Sequence, residues 1–249
     1  MALLRTFFRR LRRRRYRSKN ARSRLGKMMI WSSRIFFLLL IIDIAYLYAI
    51  WPDWNQFSLG NHTKSRFIKV YETRRVQNNK LPRLHWTPIP HNWIPRHVRR
   101  AVIVAEDARF YSHMGVDPIA LQDAMQYNLQ NMEVKYGAST LSQQTIKNMY
   151  FTASRNPLRK WHELVLTLAM EYRVSKKRII TTYLNIAEFG LGVYGIEAAA
   201  QAYWNTNTAA LTPWQAAQLA ASLPSPVKHN PATRTKTFLR RAKRIYNRL

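Results

Sequence analysis

Between Met28 and Trp51 the chain carries an apolar run long enough to cross a bilayer, and no other feature limits its folding so firmly. Ile35–Ile50 is apolar apart from Asp43, and with Met28–Trp31 the run reaches the roughly 20 residues that a spanning helix needs. Trp31, Tyr46, Tyr48, Trp51 and Trp54 stand near its ends, where aromatic belts lie. A cleaved signal peptide is the alternative. The run exceeds a usual signal core, however, and no A-x-A site follows it. Asp43 is costly at mid-membrane unless it is protonated or faces a partner helix.

Charge reinforces this topology. Residues 1–29 contain twelve Lys or Arg and no acid, and Asp43 is the only acid before residue 52. The positive-inside rule keeps such a tail in the cytoplasm and places residues 52–249 on the far side of the membrane. An Arg-rich run by itself would suggest nucleic-acid binding. Beside a membrane span it reads as a topology signal and an anchor on acidic lipid headgroups. Residues 52–249 still hold 28 basic against 11 acidic groups, so this part too seeks anionic partners. The absence of Cys excludes a disulfide scaffold, thiol catalysis and a Cys-ligated zinc site.

Four segments follow: a basic tail at 1–29, a transmembrane helix at 30–51, a juxtamembrane linker at 52–90 with Pro82, Pro88 and Pro90, and a folded domain at 91–249. Helix signals dominate the last. Pro95 suits a first helical position, with Val98, Ala101, Val102 and Ala105 on one face. Asp117-Pro118 opens a helix reaching about Met132, and Ser139/Thr140 opens another. Leu158, Trp161, Leu164, Val165, Leu168 and Tyr172 mark an amphipathic helix. Ser175 starts the next, Ala198–Trp204 is helical, and Thr212-Pro213-Trp214-Gln215 is a capping box. No run of period-2 strands stands out. The domain is expected to be mainly α.

Acids are scarce, which narrows the search for chemistry. Glu106 ends the helix that begins near Pro95, where the helix dipole disfavours a carboxylate. Desolvation by Val102 and Phe110 would raise its pKa toward that of a useful base. The plainer reading is a surface ion pair with Arg109. Thr140 and Gln143 fit a capping box, yet Thr140, Gln144 and Lys147 also form one polar stripe leading from a helix N-terminus, a favourable place for phosphate. Arg159 and Glu163 fit an i, i+4 ion pair, placed roughly opposite a stripe centred on Trp161. Asp117 reads as a helix cap, and His113 as structural rather than as a metal ligand.

Taken together, these segments resemble the family of peptidoglycan glycosyltransferases that polymerise lipid II. Its E-D-x-x-F-x-x-H-x-G motif is matched by Glu106, Asp107, Phe110, His113 and Gly115. Its G-x-S-T-x-x-Q-Q-x-x-K-N motif is matched by Gly137, Ser139, Thr140, Gln143, Gln144, Lys147 and Asn148. R-K-x-x-E is matched by Arg159, Lys160 and Glu163, and a motif ending Y-L-N by Tyr183, Leu184 and Asn185. A fifth resembles Gly195–Tyr203, but the family's following Phe-Gly-Lys is replaced by Trp204-Asn205-Thr206.

The resemblance covers about 95–231 and implies a lysozyme-like, mainly α fold behind a single N-terminal transmembrane helix. The sequence ends near 249, leaving no room for a penicillin-binding transpeptidase domain, so a monofunctional member of the family is expected. It implies Glu106 as the base on an acceptor 4-hydroxyl and Glu163 as a second catalytic carboxylate that orients the cations or a divalent metal. It implies Asp107, Phe110, Ser139, Thr140, Gln143, Gln144, Lys147, Asn148, Arg155, Arg159 and Lys160 as substrate-binding residues, with Arg155 at the donor-phosphate position. Partners implied are lipid II, the growing glycan strand, membrane lipids and other proteins of cell-wall synthesis and division, with no nucleic acid. No tightly bound cofactor is expected. A divalent cation, Mg or Mn, is the one candidate, and its ligands are left open. The location implied is the cytoplasmic (inner) membrane, with a periplasmic catalytic domain.

Two rival readings exist. A lysozyme-like lytic enzyme shares a catalytic Glu but needs a neutral acid at the leaving oxygen rather than a cluster of cations. A membrane-anchored nucleic-acid or scaffold protein would use the Arg tail. Topology separates the last from the others. An alkaline-phosphatase fusion after residue 60 is expected to be active and a cytoplasmic reporter fused there silent; the opposite pattern contradicts a catalytic domain outside the cytoplasm.

Overall fold

The computed structural model describes residues 2–132, 138–152 and 156–249, with side chains from Gly26 onward. It divides into two compact units, Met1–Trp51 and Pro52–Leu249.

The first unit is one helix, α1 (Ala2–Ala49). Its stretch Gly26–Ala49 spans 24 residues at a mean hydropathy of 1.9, and none of it is buried within the protein. At 1.5 Å per residue that is about 36 Å, enough to cross a hydrocarbon core. The apolar stretch begins and ends a few residues earlier than the 30–51 expected. Ile35, Phe37, Leu38 and Ile41 are all more than half exposed, an arrangement that lipid satisfies and water does not.

The second unit is mainly helical. In chain order it contains α2 (Trp54–Leu59), α3 (Arg66–Gln77), β1 (His85–Trp86), α4 (Arg96–Glu106), α5 (Pro118–Asn131), α6 (Leu141–Tyr150), α7 (Pro157–Arg173), α8 (Lys176–Ile186), β2 (Glu188–Gly190), β3 (Val193–Tyr194), α9 (Ile196–Trp204), α10 (Pro213–Ser222) and α11 (Lys236–Tyr246). α8 is the central rod: every side chain from Ile179 to Ile186 is buried. α6 packs on α7 and α8, while α4 packs on α10 and α11.

Residues 52–90, expected as a linker, belong to this folded unit. Trp54, Phe57, Ile68 and Tyr71 are buried, and β1 pairs in parallel with β3. The physical reason is a pair of short capped helices among polar and proline-rich stretches. Asp53 accepts from the Asn55 and Gln56 amides, and Ser65 accepts from Ile68. The three-stranded sheet, ordered β1-β3-β2, has strands of only two or three residues, too short to show alternation in the sequence.

Asn185 ties the first part of the unit to the centre. Its Nδ2 donates to the Ile89 carbonyl at 2.9 Å, its Oδ1 accepts from the Ile89 amide at 2.8 Å, and its own carbonyl accepts from Trp86 Nε1 at 2.8 Å. Gly195 (φ +85°) lies against the same residue, where an added Cβ would meet the Asn185 carbonyl oxygen at 2.8 Å. Where the family pattern has Gly, Asn205 closes α9 in the left-handed conformation at φ 50°. Asn tolerates that conformation better than other non-glycine residues, so the helix end is kept.

α7 turns much of its apolar stripe outward: Leu158, Trp161, Leu168 and Tyr172 are between 47% and 80% exposed. The face turned inward carries His162, Glu163, Leu166, Thr167, Met170 and Glu171. A helix that hides two carboxylates and shows its large apolar side chains has been arranged for chemistry inside and an apolar medium outside.

Candidate active site

α4 delivers Glu106 in its last turn, and the next residue fixes its surroundings. Asp107 is buried and its carboxylate accepts three times. His113 Nε2 donates to both oxygens at 3.0 and 3.1 Å, and the Leu141 amide, first in α6, donates at 2.9 Å. The Gly115 amide donates to His113 Nδ1 at 3.1 Å, so the imidazole proton sits on Nε2, facing Asp107. Thr140 caps α6 in a capping box with Gln143 and also donates to the Gly115 carbonyl at 2.6 Å. Gly115 (φ +90°) passes so close to α7 that a Cβ would meet Thr167 Cγ2 at 2.9 Å. The two motifs are thereby locked together, end of α4 to start of α6.

That lock aims α6. One turn in from its cap, Gln144 Nε2 donates to Glu106 Oε2 at 3.0 Å, and Tyr183 Oη from α8 donates to Gln144 Oε1 at 3.0 Å. Burial raises the Glu106 pKa; the Gln144 hydrogen bond and the charges of Arg241 and Lys147 pull it back, while Asp107 adds to the rise. Arg109 is not its partner. That guanidinium binds Asp117 at 2.8 Å, and Asp117 also caps α5 through Ala120. Glu106 is therefore a desolvated carboxylate steadied by a neutral amide, the state suited to taking a proton.

Glu163 projects inward from α7 and is 2% exposed. Arg159 Nη1 binds its Oε2 at 2.6 Å and Lys160 Nζ its Oε1 at 2.6 Å. Lys160 Nζ also reaches Ser139 Oγ at 3.3 Å. Lys147, one further turn along α6 from Gln144, joins the two acids. Burial lowers its pKa; Glu163 and Glu106 raise it, and Arg159 and Lys160 lower it. The Lys147 ammonium makes no hydrogen bond among the described residues, so its charge is open to an anion. Three cations thus gather around one buried carboxylate, with Glu106 in electrostatic range of the same Lys147.

The residues singled out in the sequence separate into two groups. Glu106, Gln144, Lys147, Arg159, Lys160, Glu163 and Ser139 converge. Asp107, Phe110, Thr140 and Gln143, expected to bind substrate, are buried behind them, with the Asp107 carboxylate, the Thr140 hydroxyl and Gln143 Oε1 each hydrogen-bonded within the chain. Asn148 lies on α6 and is partly exposed. Arg155 and Gly137 lie outside the described residues. Sequence reasoning missed Arg241, which α11 brings into range of Glu106 while its Nη1 donates to the Ala221 carbonyl at 3.1 Å. It also gave Tyr183 no role. No local pattern marks Arg241, because only the packing of α10 and α11 on α4 brings it near.

Two sets of side chains bear on metal binding. Asp107, His113 and Asp117 lie close enough together to hold an ion. However, both His113 nitrogens and both carboxylates already have protein partners, one of them the Arg109 guanidinium, so the set reads as a structural lock. Glu163 has a cation on each oxygen, which repels a divalent ion.

A family model described as Transglycosylase matches residues 74–249, beginning inside the stretch expected as a linker. The biosynthetic peptidoglycan transglycosylase of Nitrosospira multiformis is 37% identical over 224 residues, covering 88% of this chain and 95% of its own. That of Dechloromonas aromatica is 39% identical over 198 residues, 76% of this chain and 84% of its own. That of Janthinobacterium sp. is 34% identical over 225 residues, 90% and 96% respectively.

Asp107→Ala strips the partner from two buried donors, the His113 Nε2–H and the Leu141 amide. The expected cost is about 2–5 kcal/mol, seen as a thermal midpoint lowered by at least roughly 4 °C. An unchanged midpoint would show that this carboxylate does not hold α4 to α6.

Proposed function

The chain belongs to the transglycosylase family, enzymes of peptidoglycan synthesis, and on that premise we propose that it polymerises lipid II by one in-line displacement. The growing lipid-linked strand is the donor, and the 4-hydroxyl of a lipid II molecule is the acceptor. Glu106 takes the hydroxyl proton. The acceptor oxygen forms its bond to donor C1 from the face opposite the leaving group. The C1–O bond to pyrophosphate breaks, and its electron pair leaves with the lipid pyrophosphate. An α-linked donor becomes a β-1,4 linkage, with inversion and without a glycosyl-enzyme.

The observation that carries this reading is the pairing of a desolvated carboxylate with a cation cluster. A pyrophosphate leaving group is already anionic, so charge stabilisation serves it better than a general acid. Lys147, Arg159 and Lys160 supply that charge, and Arg155 is assigned to it from its sequence position. Glu163 holds Arg159 and Lys160 in place and thereby orients the cluster. These side-chain cations match the charge of the departing pyrophosphate. A lytic enzyme would need a proton donor where this site has lysine and arginine.

Location fits the substrate. α1 supplies a single-pass membrane anchor. Its basic N-terminal end is assigned to the cytoplasm and the second unit to the periplasmic face of the inner membrane. On that second unit, α5 exposes Ile119, Met125 and Leu129, and α7 exposes Leu158, Trp161 and Tyr172. Such outward faces suit the acyl-chain boundary from which a polyprenyl-linked sugar is drawn. Lipid II, the glycan strand and membrane lipids are thus the partners of this reading, with other cell-wall synthesis and division proteins acting on the same strands.

Glu106→Gln keeps the size and hydrogen bonding of the side chain but cannot accept a proton. With labelled lipid II in detergent, glycan formation is expected to fall by roughly 10²–10⁴-fold. Binding of lipid II should persist, and the wild type should release lipid pyrophosphate in step with chain growth. Near wild-type polymerisation by the variant, or cleavage of mature glycan by the wild type without consumption of lipid II, would overturn the assignment.

A further inference from the structure

A second cavity, of about 240 Å³, opens between α2, the segment after it, and α8. None of its lining residues belongs to the Glu106–Glu163 site. Its wall starts at Pro52, three residues past the end of α1 at Ala49 in the sequence.

The wall is cationic. Lys64, Lys69 and Arg178 face it, against one acid, Asp53, whose carboxylate is engaged in capping α2. Lys64 is paired with Glu72 at 2.6 Å. Lys69 and Arg178 have no carboxylate within ion-pair distance among the described residues. Arg178 instead donates to the carbonyls of Phe57 and Gly60, each at 2.7 Å. Burial lowers its pKa, and a half-buried guanidinium without an anion is an unfavourable state that a bound anion relieves.

Two further polar groups on the wall point the same way. Arg178 Nη1 lies 3.4 Å from His62 Nε2, which therefore accepts and leaves the imidazole proton on Nδ1. Burial and Arg178 push the His62 pKa down to about 4, so the ring is neutral. Among the described residues its Nδ1 is buried with no partner, and so is Oγ1 of Thr182, a residue only 4% exposed. Buried donors without partners are rare in folded proteins, and two on one cationic wall mark a place where an oxyanion is received.

We propose that this cavity holds the phosphate headgroup of an anionic phospholipid, taken from the leaflet at which the apolar helix ends. Its volume of about 240 Å³ suits a phosphoglycerol group. The site tethers the domain close to the membrane independently of catalysis.

The test uses the full chain in neutral detergent, titrated with phosphatidylglycerol and read by native mass spectrometry. The variants are Lys69→Gln, Thr182→Val and, as a control in the basic tail, Arg12→Gln. The tightest phosphatidylglycerol is expected to bind with an affinity reduced roughly tenfold by Lys69→Gln and by Thr182→Val, the scale of one charge-assisted hydrogen bond. Arg12→Gln should leave that site unchanged. Glycerol 3-phosphate should compete and phosphatidylcholine should not. Without lipid, Thr182→Val should unfold at the wild-type temperature or higher, since it removes an unpartnered hydroxyl, which separates lost binding from misfolding. Equal retention by the wild type and both cavity variants would overturn the proposal, as would competition by inorganic phosphate as strong as that by glycerol 3-phosphate.

Discussion

The site depends on the buried carboxylate of Asp107, which joins two helix ends. Asp107 accepts from the first amide of α6 and from His113, and so joins the end of the helix that carries Glu106 to the start of the helix that carries Gln144 and Lys147. Helix ends leave amides unsatisfied, and an anion at a helix N-terminus gains from both the hydrogen bond and the dipole. Here the protein supplies that anion itself. With α6 anchored in this way, Gln144 and Lys147 keep their places relative to Glu106, and Tyr183 completes the support from α8. Three motifs far apart in the chain become one arrangement through four hydrogen-bonding side chains.

The same economy of acids explains α7. Burying Glu163 carries a large desolvation cost unless its oxygens are matched, and Arg159 and Lys160 match them one each. Both cations come from the same helix, within one turn, so their spacing is set before any tertiary contact forms. The reward for this inward polar face is a concentrated positive charge near Lys147. Its consequence is that the apolar stripe, including Trp161 and Tyr172, is left on the outside. In water such a surface is a liability; beside a bilayer it is an asset.

Much of this was legible in the sequence, for local reasons. The apolar stretch of α1, the Thr140 and Thr212 capping boxes, the Asp117 cap and the crowding of cations near Glu163 all depend on neighbours within a few residues. What was not legible depends on long-range packing. Hydrophobic periodicity located α7 correctly but left open which of its faces turns inward, because periodicity does not say which medium the apolar side meets. Residues 52–90 looked like a linker because α2 and α3 are short and polar, and what they and β1 pack against, α7, α6 and β3, lies far along the chain. Arg241 and the cavity around Arg178 likewise arise from segments more than 100 residues away from their partners in the chain. Arg109 was drawn to Asp117 rather than to Glu106, a choice that adjacency in the sequence does not reveal.

The central claim is that Glu106 acts as a base whose proton affinity is raised by burial and restrained by Lys147. The dependence of lipid II polymerisation on pH measures this directly. Activity requires the carboxylate form, so it is lost as pH falls through the folded-state pKa, and the acid limb should lie above the ordinary carboxylate value of about 4.3. Lys147→Gln removes a charge that lowers this pKa. The limb should therefore move to higher pH in that variant, in addition to the slower turnover caused by weaker phosphate contact. An acid limb at the ordinary carboxylate value, or one that stays in place when Lys147 is neutralised, would contradict the account.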